Sequence, residues 1–303
     1  MIRVGNAPCS WGVIENVQGS RTTWETVLDE IASTGYAGTE LGDWGFMPTD
    51  PGVLRTELKR RDLQLIGAWV SVHLHDIDKR ARDASDALRT ARLIAEVRGA
   101  DGIIILGNDP HTDFVRTKFA GRVTSDMGLS KENWKIFGDG ANSIAAKIRE
   151  EFGLRTVLHP HVATYVETPA EISAFLSATD PELVGIAFDT AHIAYGGSDP
   201  VETLKQFIDR VWHVHFKGYS QAAATECRTL GIDAVEAVGR GVFCDLESSD
   251  VDFGAILTIL QDHMYEGWIV VEQDVLPGTG TPKENAYRNR EFIRSLQSNG
   301  EIR

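Results

Sequence analysis

Short apolar runs alternate with stretches of helical period from one end of the chain to the other. The runs fall at 2–8 (IRVGNAP), 36–42 (YAGTELG), 63–70 (LQLIGAWV), 101–107 (DGIIILG), 154–161 (LRTVLHPH), 182–189 (ELVGIAFD), 211–217 (VWHVHFK) and 267–274 (GWIVVEQD). Their length suits strands, and the unbroken apolar stretch of the fourth suits a strand covered on both faces. Amphipathic stretches between them predict helices over 24–33, 51–61, 82–98, 131–152, 167–177, 200–208, 252–263 and 283–297, some opened by a proline in the first turn. Residues 108–130 and 218–250 hold no clear period and are expected to be loops, the second with a short helix at 232–238. Eight strand–helix units in series close naturally into an α/β (β/α)8 TIM barrel, here one domain over residues 1–303. A doubly wound open sheet is the alternative, but the first run is followed by PCSWG and not by a glycine-rich phosphate-binding turn.

In such barrels chemistry sits where strands end, because the loops that follow them build the top face. The second run ends at Glu40. The fifth ends at His159, Pro160 and His161, the sixth at Asp189 with His192 just beyond, the seventh at His213, His215 and Lys217, and the eighth at Glu272, Gln273 and Asp274. Five of the nine histidines thus gather at three consecutive strand ends. A single histidine there is more often only a hydrogen-bonded polar residue; the recurrence is what points to a site. Imidazole and carboxylate donors together suit Mn²⁺, Co²⁺, Fe²⁺ or Zn²⁺ better than Ca²⁺. Such an ion polarises a carbonyl and stabilises an enediolate. The reaction also needs a base and an acid, for which His161, His192, Lys217 and Glu40 are at hand.

Only one of His213 and His215 is expected to face the barrel interior. His215, nearer the mouth, is the choice, and His213 then packs between strand and helix. Glu272 closes an otherwise apolar run, where a carboxylate needs a partner or a metal. His73 and His75 belong either to the site or to a solvated loop, and His111 and His263 are expected at the surface. Cys9 reads as a small buried filler, since no positive partner is adjacent in sequence.

Composition narrows the partners. The net charge of −14 argues against nucleic acid or an anionic membrane as partner. No apolar run approaches the roughly 18 residues of a membrane span. Three cysteines, Cys9, Cys227 and Cys244, with no CxxC spacing, argue against a disulfide framework and for a reducing compartment. With no apolar signal segment near Met1, cytoplasmic residence is the expectation. The expected partner is a small polyol or keto-sugar, bound by the chain alone or as a homo-oligomer.

The order HPH, FDTAH, HVHFK and VVEQD resembles the xylose isomerase-like TIM-barrel family, which takes in ketose epimerases, hydroxypyruvate isomerases and endonuclease IV. The resemblance implies metal ligands at the ends of strands five to eight: His159, where relatives carry a glutamate, then Asp189, His215 and Glu272, with His161 competing for the first place. It implies Mn²⁺ or Co²⁺ first, with Zn²⁺, Fe²⁺ or Mg²⁺ as alternatives. It gives His192 a substrate-side or metal-side role, and leaves open which of His192, His161 and Lys217 is base and which is acid. Glu40, Trp11, Lys217 and His161 are taken as substrate contacts.

Within that family GYAGTELG (35–42), HPHVATYVETPAEI (159–172), DPELVGIAFDTAHIAYGGSDP (180–200) and IDRVWHVHFK (208–217) are similar to the inosose dehydratase group. NAPCSWGVIE (6–15) and CDLESSDVDF (244–253) depart from it, on loops that shape the substrate pocket. The implied reaction is loss of water from 2-keto-myo-inositol through an enolate. Isomerisation or epimerisation of another keto-sugar shares its first step and is the alternative. An endonuclease needs a positive surface that the net charge denies, and a barrel that only binds a sugar leaves the clustered donors unexplained.

Overall fold

The computed structural model describes residues 2–13, 22–108, 113–276 and 278–296; His111 and Gln297 lie outside them. The strands are β1 (Arg3–Asn6), β2 (Gly38–Thr39), β3 (Gln64–Leu65), β4 (Gly67–Val72), β5 (Ile103–Asn108), β6 (Arg155–His159), β7 (Val184–Asp189), β8 (Val211–Tyr219), β9 (Phe243–Cys244) and β10 (Trp268–Glu272). The helices are α1 (Trp24–Ser33), α2 (Pro51–Arg60), α3 (Arg80–Arg98), α4 (Phe114–Lys118), α5 (Lys131–Phe152), α6 (Pro169–Ala178), α7 (Thr190–Tyr195), α8 (Pro200–Phe207), α9 (Gln221–Leu230), α10 (Ala234–Gly239), α11 (Phe253–Asp262) and α12 (Pro282–Leu296). Local chemistry starts many of these helices. Asp50 and Asp199 cap α2 and α8 ahead of a first-turn proline, and Thr168 and Glu171 form a reciprocal capping box on α6.

The sheet runs β3-β2-β1-β10-β8-β7-β6-β5-β4 with parallel neighbours throughout, and β9 pairs antiparallel with β8. The two ends of this path are one stretch of chain interrupted at Ile66. The Ile66 N–H donates to the Thr39 carbonyl at 2.8 Å, and its carbonyl accepts from the Ile103 N–H at 3.2 Å. The third stave therefore bridges both ends, and the ring has the eight staves of a (β/α)8 barrel. Among the described residues no helix is long and apolar enough to cross a membrane.

Among the described residues three apolar clusters divide the interior. The largest lies between strands and helices. Two smaller ones fill the barrel: Ala7, Ile66, Trp268 and Val270 with Cys9, and Ile103, Ile105, Val157 and Ala187 with Trp69 and Trp212. Alternation along the strands then places His159, Asp189 and Glu272 on the same inner face, above Val157, Ala187 and Val270. The site thus rests on a dry floor. Gly107 makes room for one wall: a Cβ there would lie 1.7 Å from the Trp69 ring.

The expected outward His213 is corrected. Positions two apart on a strand share a face, so His213, His215 and Lys217 all point inward. All three are buried. A register shift next to β7, where Ile186 faces Val211 but Ala187 faces His213, leaves Trp212 as the extra residue. The two expected loops are also more regular than the sequence indicates. The first holds α4, and the second holds α9 and β9 besides α10, which meets the short helix expected at 232–238, while α7 follows directly on Asp189.

Candidate metal centre and reaction site

Asp189 ends β7 and caps α7, and its two oxygens do different things. Oδ1 accepts from the N–H groups of Ala191 and His192 at 2.9 and 2.8 Å. Oδ2 is buried and among the described residues has no hydrogen-bond partner, and neither has His215 Nδ1, which lies 3.9 Å from it. Glu272 Oε1 stands 3.3 Å from the same His215 nitrogen, and His159 Nε2 stands 3.7 Å from Asp189 Oδ2. Buried polar atoms are rarely left unpaired without a reason. His159, Asp189 and His215 bring one donor atom each within 4.8 Å of one another, with Glu272 beside His215, a set of imidazoles and carboxylates that fits a divalent cation. His159 reaches Asp189, whereas the His161 ring lies 5.6 Å from that of His159 and is committed elsewhere.

Electrostatics agree. Burial opposes charge on Asp189, yet His159, Lys217 and His215 bring its carboxyl down to about 2. Burial also opposes charge on His215, but Glu272 and Glu40 drive it up to about 9. The carboxylates gathered around His215 thus favour positive charge in the pocket.

Glu40 sits one step deeper. Its Oε1 accepts from His213 Nε2 at 2.8 Å and His215 Nε2 at 3.0 Å. Burial works against ionisation of this carboxyl, but the two histidines hold it well below the usual carboxylate range. Glu40, His213 and His215 form a second group of closely placed donors. Because Glu40 takes the Nε2 side of His215, the Nδ1 side is left to face Asp189 and Glu272.

On the rim, His161 and His192 stack with ring centroids 3.8 Å apart. His161 Nδ1 lies 2.6 Å from the Val162 carbonyl. A carbonyl only accepts, so the proton is on Nδ1 and the lone pair of neutral His161 is on Nε2. His192 is the reverse: its Nδ1 accepts from the Val162 N–H at 3.4 Å, so neutral His192 carries its proton on Nε2. Burial, reinforced by His161 and Lys217, pushes His192 well below the usual histidine range. Lys217 Nζ lies 3.1 Å from Asp274 and 3.6 Å from Glu272, above the Phe243 ring. Burial opposes its charge, but Asp274 and Glu272 hold the ammonium well above the usual lysine range.

Other residues that the sequence singles out have neighbours of their own. Trp11 is buried with its indole N–H donating to Glu30 of α1 at 2.7 Å, so it has no donor to offer a substrate. His73 faces Asp83, and His75 meets the edge of Tyr165. Cys9, past the end of β1, packs against the cluster of Ala7, Ile66, Trp268 and Val270, and burial and then the nearby Glu272 push its thiol up. Asp274 has no role in the sequence reading and Glu167 stands there only at a helix start; both are built into the site's surroundings. Asp274 had a signal, its place two residues past Glu272 at a strand end.

The sequence model of the xylose isomerase-like TIM barrel family matches residues 28–296. The chain belongs to this family. Within it, the inosose dehydratase of Clostridium perfringens (strain 13 / Type A) is 30% identical over 296 residues, covering 97% of this chain and 97% of that protein. Among solved structures, the probable 3-DHS dehydratase AsbF of Bacillus anthracis aligns with a TM-score of 0.71 at 17% identity, over 97% of this chain and 99% of that one. The IOLI protein with a bound zinc atom aligns with a TM-score of 0.73 at 12% identity, over 98% and 99%. These two likenesses are of xylose isomerase-like fold.

Proposed function

We propose that this enzyme is a divalent-metal-dependent hydro-lyase that removes water from a cyclic keto-polyol, with 2-keto-myo-inositol as its substrate. The observation that carries the reading is the pair of buried, unpartnered atoms, Asp189 Oδ2 and His215 Nδ1, turned toward each other beside Glu272 and His159. His159, Asp189, His215 and Glu272 would hold the ion, Mn²⁺ or Co²⁺ by preference. When bound, a divalent cation supplies Lewis-acid polarisation of a substrate carbonyl and its neighbouring hydroxyl. The choice of dehydration, and of an inosose, draws on the relatives that share 30% identity along 97% of the chain.

The chain's own groups divide the proton work. Neutral His161 presents the Nε2 lone pair and takes the proton from the carbon next to the ketone. The imidazolium so formed on His161 returns its Nε2 proton to the departing β-hydroxyl, which leaves as water, and His161 ends neutral as it began. His192, neutral with its proton on Nε2, donates a hydrogen bond to a substrate oxygen and keeps that proton. Lys217, paired with Asp274 and Glu272, is assigned as an ammonium and not as the base. It stabilises negative charge that develops on the substrate oxygens. Glu40 binds His213 and His215 and orients the latter, a role closer to the metal than the substrate hydroxyl contact its position suggested.

The test is product identity. Protein reconstituted with Mn²⁺ and incubated with 2-keto-myo-inositol and a panel of ketohexoses should give a dione absorbance with the inosose alone. Appearance of an isomer peak from any of these sugars, with no dione, would move the assignment to isomerisation or epimerisation.

A further inference from the structure

The loop that carries His161 and the loop after β5 are tied together by one buried carboxylate. Glu167 lies between β6 and α6 and is 2% exposed. Its Oε1 accepts from the Gly121 N–H at 2.7 Å and its Oε2 from the Ala163 N–H at 2.8 Å. Gly121 belongs to the connection after β5, and Ala163 lies two residues beyond His161.

Each of these two partners is itself a junction. Gly121 has φ of 72°, and a Cβ there would lie 2.9 Å from both the ring and the carbonyl of Tyr195. Arg228 closes the junction, with Nε donating to the Gly121 carbonyl at 3.1 Å and Nη2 to the Tyr195 carbonyl at 2.8 Å. Tyr195 ends α7, the helix that carries His192. Ala163 has φ of 65°, a conformation L side chains rarely adopt, at the third position of a turn closed by the Thr164 N–H on the His161 carbonyl at 3.3 Å. An N–H at that position points out of the turn, and Glu167 receives it.

Charge pairing does not explain the carboxylate. Arg116 is fully buried and pairs in bidentate fashion with Glu171 at 2.8 and 2.9 Å, while Glu167 stands 3.9 Å away. Arg116 would stay neutralised without Glu167. Burial meanwhile pushes the Glu167 carboxyl up to about 7 despite Arg116 and the two N–H donors. An ionisable group kept at such a cost, and bonded to two loops, is best understood through those loops.

We propose that Glu167 is a positioning residue that fixes the loop bearing His161 and, through Gly121 and Tyr195, the helix bearing His192, and so maintains the stack of the two imidazoles. The kinetic part of this inference rests on the functional reading above; the structural part does not.

The test uses Glu167→Gln, which keeps size and one acceptor oxygen, and Glu167→Ala. Hydrogen–deuterium exchange of the full chain at pH 8 should speed up in segments 119–123 and 161–166 in both variants and stay unchanged in β6 and β7. With metal bound, kcat should fall about ten- to a hundredfold, the scale of a small misplacement of reacting groups, with KM and metal content unchanged. Unchanged exchange in both segments would overturn the tie, and faster exchange with intact kcat would overturn the positioning role. If wild-type protein turns over no inosose, the functional reading fails, and the exchange result still decides whether Glu167 holds the two loops. Should the alanine variant unfold, the glutamine variant alone decides.

Discussion

Substitution of Asp189 by Asn separates the two jobs of that side chain. The asparagine carbonyl can still accept from Ala191 and His192, as Oδ1 does now at 2.9 and 2.8 Å, so the cap of α7 survives. What is lost is Oδ2, the charged atom that faces His215 and His159. At a free metal concentration ~100 times Kd, ligand binding to the folded state adds about 2.7 kcal/mol of stability. An unfolding entropy of ~2.1 cal/mol/K per residue over 303 residues is about 0.6 kcal/mol/K, so wild-type protein should melt about 4 °C higher with metal than with chelator. Loss of a charged ligand should weaken binding by at least ~100-fold, since even groups behind the ligands cost 10–100-fold. The residual stabilisation is then about 0.4 kcal/mol, a shift of under ~1 °C. Melting with Mn²⁺ and with EDTA, monitored by dye fluorescence, reads both proteins. A full 4 °C shift in the asparagine variant would refute Asp189 as a ligand, and a melting point far below wild type in EDTA would show that the cap had been damaged instead.

Further outcomes follow from the same geometry. His161→Ala should lower kcat by about 10²–10⁴ while leaving the metal-dependent melting shift in place, whereas a lost shift would make His161 a ligand. Gly107→Ala places a methyl 1.7 Å from the Trp69 ring, which packs edge-on against His159 and His161; it should cost about 1–3 kcal/mol by chemical denaturation and also reduce turnover. Wild-type stability there would mean that Trp69 has room to move. For pH, burial raises the Glu167 carboxyl from 4.5 to about 7, among Arg116 on α4, Glu171 on α6 and Tyr195 on α7. Between these values the folded chain holds a proton that the unfolded chain releases. Its contribution is therefore full below the lower value and lost as pH rises through the upper one. Glu167→Gln should gain on wild type across that window by up to about 1.4 kcal/mol per pH unit, and parallel denaturation curves would contradict the raised value.

Most of the barrel was legible because buried parallel strands are continuous apolar runs and the long helices between them are amphipathic. Each of the eight runs became a stave, and the strand-end rule brought Asp189, His192, His159, His215 and Glu272 together. Shorter features were not legible. Helices α4 and α7 are too short to show a period, and α9 lies in a stretch read as loop, whereas α10 meets the short helix expected at 232–238. The inward placement of His213 needed only the two-residue period counted correctly, but its bond to Glu40 joins residues 173 apart, which no local pattern reveals. Trp11 is aromatic and close to the first strand end, yet its N–H finds Glu30 on a neighbouring helix. Glu167 carries no sequence mark of burial because its partners are backbone N–H groups, which have no residue identity.

The central claim is that four strand-end residues hold one divalent ion on which water loss depends. Stripping the protein with a chelator and titrating it with Mn²⁺ while following dione formation from 2-keto-myo-inositol tests this directly. Activity should be absent at the start, rise with added metal, and level off at one equivalent per chain. Equal turnover before and after metal is returned, or no turnover at saturation, would contradict the account.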